Sequence, residues 1–156
     1  MERLPYIDEH GIRIAASAVD TWKALIETVS RTVTDPPAVA ARAFRLDPTR
    51  KSGDWATVGL DHAVAGFRVL EEQPGRRLAL GGAHRFSRYQ LIFEIDETAS
   101  GTVDVRAQTR ADFPGIAGRI YRALVIGTRG HRLVVNRLLG AVKQRAERYS
   151  RQVGPT

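Results

Sequence analysis

Polar side chains that could bind a ligand or act in catalysis are concentrated between Gly81 and Tyr89. His84 offers an imidazole, Arg85 a cation, and Ser87 and Tyr89 offer hydroxyl groups. If a strand runs through this segment without a bulge, alternation places Arg85, Ser87 and Tyr89 on one face. In an apolar pocket these groups would orient a carboxylate, hydroxyl or carbonyl of a ligand. The simpler alternative is that Arg85 pairs with an acid at the sheet edge and Tyr89 packs in the core, because a buried arginine must be paired.

His131 is a second candidate, since it interrupts an apolar stripe that also carries Tyr121 and Thr128. Imidazole changes its protonation state near neutral pH, as a general acid or base requires. A single histidine on such a face is, however, more often a hydrogen-bonded core residue. The sequence leaves both roles open.

Other kinds of site are excluded by composition and spacing. The histidines His10, His62, His84 and His131 are widely separated and form no HExxH motif, so no metal is expected. The absence of cysteine excludes disulfides and thiolate chemistry. There is no GxSxG motif, and the glycines of the segment from Gly127 to Gly130 lack the preceding strand that a nucleotide-binding loop requires. We therefore expect no cofactor.

A long helix is predicted from Phe113 to Tyr149, where Pro114 suits the first turn. Its apolar stripe recurs at spacings of three and four: Ala117, Tyr121, Leu124, Thr128, His131, Val135, Leu138, Leu139, Val142 and Ala146. The segment from Gly127 to Gly130 is where such a helix would bend.

The segments before this helix have the patterning of antiparallel strands and short helices. Strands are predicted at Tyr6 to Ala15, Asp54 to Leu60, Val64 to Glu71, Arg76 to Ala83, Phe86 to Glu97 and Thr102 to Ala111. Pro74 and Gly75 fit the centre of a type II turn. Ser17 is expected to cap a first helix, and Asp35 a second, shorter helix that ends near Arg45.

One face of the last two strands is predicted to be buried away from water. On the final strand it carries Val103, Val105, Ala107, Thr109 and Ala111, and on the strand before it Tyr89, Leu91, Phe93 and Ile95. The small side chains of the final strand would leave room beneath a bent helix, so we expect an internal cavity.

The net charge of +7 raises the question of a nucleic-acid partner. All but three of the 24 basic residues are arginines, and they occur in every segment. This even distribution favours a solvated surface, so no nucleic acid is expected. No apolar run approaches the roughly 20 residues of a membrane-spanning helix, and the chain does not begin with a signal peptide pattern. We expect a single cytoplasmic domain over residues 1–156, without membrane insertion.

The order of elements and the segment from Ile14 to Leu25, IAASAVDTWKAL, resemble the START and birch-pollen-allergen-like (SRPBCC) superfamily, in particular its polyketide cyclase/dehydrase and lipid-transport branch. There an Ala-rich turn joins the first strand to a helix with a Val-Trp pair. Here Val19 and Trp22 are two residues further apart than in the tightest form of that pattern.

The resemblance implies an α+β helix-grip fold, with a curved antiparallel sheet of six or seven strands wrapped around the C-terminal helix and two short helices after the first strand. It also implies a pocket for an apolar or aromatic molecule. It implies no catalytic residue, because members share no single catalytic motif.

The first interpretation is therefore a carrier or sensor of a small hydrophobic molecule. The expected ligand-binding residues are Arg85, Ser87, Tyr89, Leu91, Phe93, Val105, Ala107, Thr109, Tyr121, Leu124, Thr128 and His131. The alternative is a cyclase- or dehydratase-like enzyme in which His131 moves protons and Arg85 or Tyr89 stabilises an enolate. A third interpretation is an interaction protein, because Ile126 and Leu133 are seven residues apart on the outward side of the helix and could form a homodimer contact.

Overall fold

The computed structural model describes residues 4–32, 45, 47–48, 51–55, 59–60, 62–64, 66–125 and 130–152. Of residues 121, 124–125 and 130–131 it describes the backbone alone. The helix predicted between Asp35 and Arg45 lies outside the described residues, apart from Arg45, which is in a turn.

In the described part of the chain, six strands form one antiparallel, curved sheet in the order β1-β6-β5-β4-β3-β2. They are β1 (Tyr6–Ile14), β2 (Ala63–Val64), β3 (Phe67–Gln73), β4 (Arg77–His84), β5 (Ser87–Glu97) and β6 (Val103–Asp112). Five of them lie where alternation and turn chemistry predicted strands. The strand predicted from Asp54 to Leu60 is not observed in the described residues of that range, 54–55 and 59–60.

The turn between β3 and β4 has the chemistry that its sequence predicts. Gly75 has a φ of 74°, and the N–H of Arg76 donates to the carbonyl of Gln73 at 2.9 Å. A type II turn requires a positive φ at its third residue, which glycine adopts without strain. This turn fixes the register of β3 on β4.

Helix α1 (Ala18–Thr32) follows β1 and begins with the predicted cap. Ser17 Oγ accepts the N–H of Asp20 at 3.1 Å and donates to the Asp20 carboxylate at 2.9 Å. Seven side chains of the helix are buried: Ala18, Thr21, Ala24, Leu25, Ile26, Thr28 and Val29. The helix therefore covers the core with one face.

The helix predicted from Phe113 to Tyr149 is present on both sides of residues 126–129. Its described stretches are α2 (Gly115–Val125) and α3 (Gly130–Gln152). Residues 126–129 lie outside the described part of the chain.

Helix α3 packs on β1, β6 and α1. Its buried stripe is Val135, Leu138, Leu139, Val142 and Ala146, as the spacing predicted. Polar contacts reinforce this packing, because the Glu27 carboxylate accepts bonds from Tyr149 Oη at 2.6 Å and Arg145 at 3.2 Å. The N–H of Ala15 also donates to Glu147 at 3.1 Å. The C-terminal part of α3 is thus fixed to α1 and to the end of β1.

Candidate functional site

The sheet face that packs against α3, here called the inner face, has two ends of different character. The packed end consists of Leu78, Phe93, Val103, Val105 and Ala107, none of which is more than 1% exposed. Side chains that are enclosed so completely border no space that would hold even a water molecule.

The polar end is the continuation of the same face toward residues that carry oxygen or nitrogen. It consists of Asp8, His10, His84, Ser87, Tyr89 and Thr109. Leu91 lies between the two ends and is only partly buried. The inner face therefore changes along the strands from hydrocarbon to hydrogen-bonding groups.

An acid and an imidazole are adjacent at the polar end. The register of β1 on β6 pairs Asp8 with Thr109, and His10 Nε2 lies 3.3 Å from Asp8 Oδ2. The side chains of His10 and Asp8 are 18% and 11% exposed. Arg132, near the start of α3, brings its Nε within 3.8 Å of the same Asp8 oxygen. A carboxylate beside an imidazole can fix which ring nitrogen carries the proton, as acid–base chemistry requires.

His84 closes the polar end at the turn between β4 and β5. Its Nδ1 accepts the N–H of Phe86 at 3.1 Å, and its Nε2 lies 3.1 Å from Ser87 Oγ. Burial lowers the pKa of His84, and a nitrogen that accepts a hydrogen bond must be unprotonated. Both effects favour the neutral imidazole. Beside it, Tyr89 Oη donates to the carbonyl of Gly66 at 2.7 Å, which fixes the position of the Tyr89 ring.

The polar end is covered less closely by α2 than the packed end is covered by α3. Within the described residues, α2 is not packed closely against any other helix or strand. It touches the β4–β5 turn at Gly118, where an added Cβ would lie 3.1 Å from the carbonyl oxygen of Phe86. Ile116 and Ile120 are 79% and 59% exposed.

Four of the predicted ligand-binding residues lie at the polar end or beside it. Ser87 and Thr109 are buried, whereas Tyr89 and Leu91 are partly buried. All four share the inner face, as strand alternation predicted. Three others, Phe93, Val105 and Ala107, were expected in a cavity wall, but they belong to the packed end because α1 and α3 fill the space above them.

The prediction that Arg85 points inward is wrong. Arg85 lies in the two-residue turn between β4 and β5, is exposed, and places its guanidinium 5.5 Å from the centre of the Phe86 ring. Alternation ends where the strand ends, so the parity of β5 does not extend to this residue.

The remaining predicted residues are on the helical segment. Thr128 lies outside the described residues. Tyr121 and Leu124 are in α2 and His131 is in the first turn of α3, with only their backbone described.

Asp8 and His10 lie at the polar end but were not among the predicted ligand-binding residues. The signal was present, because Ile12 and Ile14 lie on the inner face and alternation continues from them to both polar residues. Arg132 was missed for a different reason, since only the packing of α3 on β1 brings it near Asp8.

A concavity of about 600 Å³ lies between α1 and residues 51–55. Trp22, Ile26 and Trp55 form apolar parts of its lining, together with charged residues of both signs: Lys23, Glu27, Arg31, Lys51 and Asp54. Trp55 Nε1 is bonded to the carbonyls of Ser52 and Ala63, both at 3.2 Å. This cleft is more charged than a site for an apolar molecule would be.

Two further properties of the described residues bear on other functions. No group of three His, Asp or Glu side chains is arranged to hold a metal ion in this part of the chain. None of the described helices has the length and apolar character needed to cross a membrane.

The fold is that of proteins of known structure. A protein from Thermus thermophilus aligns with a TM-score of 0.57 at 16% identity, over 91% of this chain and 97% of that one. Truncated norcoclaurine synthase from Thalictrum flavum aligns with a TM-score of 0.51 at 15% identity, over 92% and 96%. Ara h 8.0201 aligns with a TM-score of 0.52 at 8% identity, over 89% and 95%.

At these identities the similarity shows the fold and no more. No family model matches the chain, and no curated protein sequence matches it.

Proposed function

Because the chain has the helix-grip fold of the START and birch-pollen-allergen-like superfamily, we propose that it is a cytoplasmic carrier or sensor of a small hydrophobic or aromatic molecule. The ligand would lie between the polar end of the inner face, α2 and the first turn of α3. The observation that carries this proposal is the contrast along one sheet face, from complete packing to partly exposed Leu91 and Tyr89.

The chemistry of the polar end suits a molecule with an apolar body and one hydrogen-bonding group. Leu91 and the ring of Tyr89 would contact the body, and apolar burial would supply the affinity. Asp8, His10 and Thr109 would orient a hydroxyl, carbonyl or amine of the ligand. Tyr121, Leu124, Thr128 and His131 remain part of the proposal as the helical side of the site.

Native mass spectrometry of the purified protein tests this proposal. We expect a bound apolar molecule, or binding of a fatty acid or aromatic compound added from a mixed library. Leu91→Trp should fill the space and abolish binding without unfolding the protein. Leu60→Trp, at a residue that is 64% exposed, is the matched control and should bind as the unsubstituted chain does. An empty protein that binds nothing from the library would contradict the proposal.

An acid–base enzyme is the second candidate, and the adjacency of Asp8 and His10 favours it. In a cyclisation or dehydration, a base removes a proton from carbon beside a carbonyl, and hydrogen-bond donors stabilise the enolate. The base would be His10, whose imidazole lies on the inner face, and His131 remains the alternative base. Norcoclaurine synthase, by its name, is an enzyme with this fold.

Incubation of the ligand-bound protein distinguishes the enzyme from the carrier. An enzyme should change the mass of the ligand, by the loss of one water in a dehydration, and His10→Asn or His131→Gln should stop that change while ligand binding persists. A ligand recovered unchanged from the unsubstituted protein would contradict the enzyme.

A further inference from the structure

Helix α2 has an outward surface that combines apolar side chains with an arginine. Ile116 and Ile120 are 79% and 59% exposed and lie one turn apart, so they form one stripe, with Arg119 beside it. Gly118 faces the opposite way, because it is the residue that contacts the β4–β5 turn. Arg122 is also exposed, but it lies one turn from Gly118 and therefore on the side away from the isoleucines. We call Ile116, Arg119 and Ile120 the α2 surface.

Exposed cationic and apolar side chains also occur elsewhere, on the β4–β5 turn and on α3. Arg85 is exposed in the β4–β5 turn, next to the Phe86 backbone that Gly118 approaches. On α3, Leu133 and Val134 are 53% and 60% exposed, and Arg132 and Arg137 are exposed beside them.

The sequence of α2 and of most of α3 carries charge of one sign. No acidic residue lies between Asp112 and Glu147, and the basic residues of this stretch are Arg119, Arg122, Arg129, Arg132, Arg137, Lys143 and Arg145. A surface that is both apolar and cationic is complementary to the interface of a bilayer that contains anionic lipid. Isoleucines enter the boundary between head groups and acyl chains, while arginine side chains extend to the phosphates.

We propose that the α2 surface binds reversibly to membranes containing anionic lipid, with α2 lying in the plane of the interface. This is peripheral binding, and it goes beyond the sequence-based expectation of no membrane insertion without requiring a spanning segment. A nucleic acid would match the charge but would leave Ile116 and Ile120 in water. A second copy of the chain would cover the isoleucines but would bring like charges together. The proposal does not depend on the ligand site, since the surface faces outward whether or not the interior is occupied.

Co-sedimentation of the full chain with vesicles tests the proposal. Binding is expected to vesicles of phosphatidylcholine mixed with phosphatidylglycerol, to be much weaker with phosphatidylcholine alone, and to decrease with added salt. The double variant Ile116→Gln, Ile120→Gln should lower the affinity for mixed vesicles about tenfold. Arg119→Gln should lower it about fivefold on mixed vesicles and leave the weak binding to phosphatidylcholine unchanged.

Matched controls are available elsewhere on the chain. Val19→Gln replaces an apolar residue of α1 that is 76% exposed, and Arg76→Gln replaces an exposed arginine in the β3–β4 turn. Both should bind vesicles as the unsubstituted chain does. Because all of the substituted side chains are exposed, circular dichroism should show an unchanged fold for every variant.

Three results would overturn the proposal. The first is no vesicle binding by the unsubstituted chain. The second is vesicle binding that the α2 variants leave intact or that the controls reduce equally. The third is a dimer in light scattering, or a complex with duplex DNA, that the α2 variants disrupt in a protein that does not bind vesicles.

Discussion

The packed end and the polar end of the inner face belong to the same strands but differ in what covers them. At the packed end, α3 lies directly on β1 and β6, and Glu27 joins α1 to Arg145 and Tyr149 of α3. At the polar end the described residues of α2 pack less closely on the sheet and touch it at the β4–β5 turn through Gly118. One sheet face can therefore be completely packed at one end and partly exposed at the other, depending on how closely the helix above it packs.

Truncation of a large side chain should give the largest difference in unfolding free energy between the packed end and the polar end. Phe93→Ala at the packed end should cost about 3–5 kcal/mol of unfolding free energy, because it leaves a cavity in a region without space. Leu91→Ala should cost less, about 1–2 kcal/mol, since Leu91 is already partly exposed. Urea denaturation of both variants measures the difference, and equal losses would show that the two ends are packed alike.

Enlargement of a side chain should give the next largest contrast. Ala107→Leu should destabilise the protein by about 1–3 kcal/mol, because the packed end has no room for additional methyl groups. Leu91→Trp should change stability by less than about 1 kcal/mol if the polar end has the space that ligand binding needs. A loss for Leu91→Trp as large as that for Ala107→Leu would argue against that space.

The sequence predicted the helices and strands better than it predicted how closely they pack against one another. Strand alternation and the turn at Gly75 are local properties, and they located β1 and β3 to β6. Alternation also predicted the shared face of Ser87, Tyr89, Leu91 and Thr109. Whether such a face is filled depends on a helix distant in sequence.

The errors have two origins, which are tertiary packing and the exact end of a strand. Phe93, Val105 and Ala107 were expected in a cavity wall because the fit of α3 over them is a tertiary property. Arg85 was placed inward because the end of β4 could not be located to one residue. These limits concern packing and element boundaries, whereas the missed Asp8 was accessible from the pattern of β1.

The smallest of the predicted effects is the contribution of His84, at the polar end, to the pH dependence of the unfolding free energy. Burial lowers the pKa of His84 in the folded protein, so the unfolded chain binds more protons at mildly acidic pH. The unfolding free energy should therefore fall as the pH drops below about 6.5, the ordinary pKa of histidine, and should continue to fall until the lower folded pKa is passed. The loss should be below about 1 kcal/mol, because His84 is only half buried and water screens its charge.

The variant His84→Asn isolates this contribution. Urea denaturation between about pH 7.5 and pH 5 should give a flatter dependence for the variant than for the unsubstituted chain. An identical slope in both proteins would show that His84 does not titrate differently in the folded state.

Amide chemical shifts, measured by NMR during a titration with a bound apolar molecule, show whether the ligand lies at the polar end. If it does, the shifts should be confined to residues 8–10, 87–91 and 107–111 and to the adjoining helices, with little change along residues 138–152 of α3. Shifts centred on Trp22 and Trp55, in the cleft beside α1, would contradict this position of the ligand.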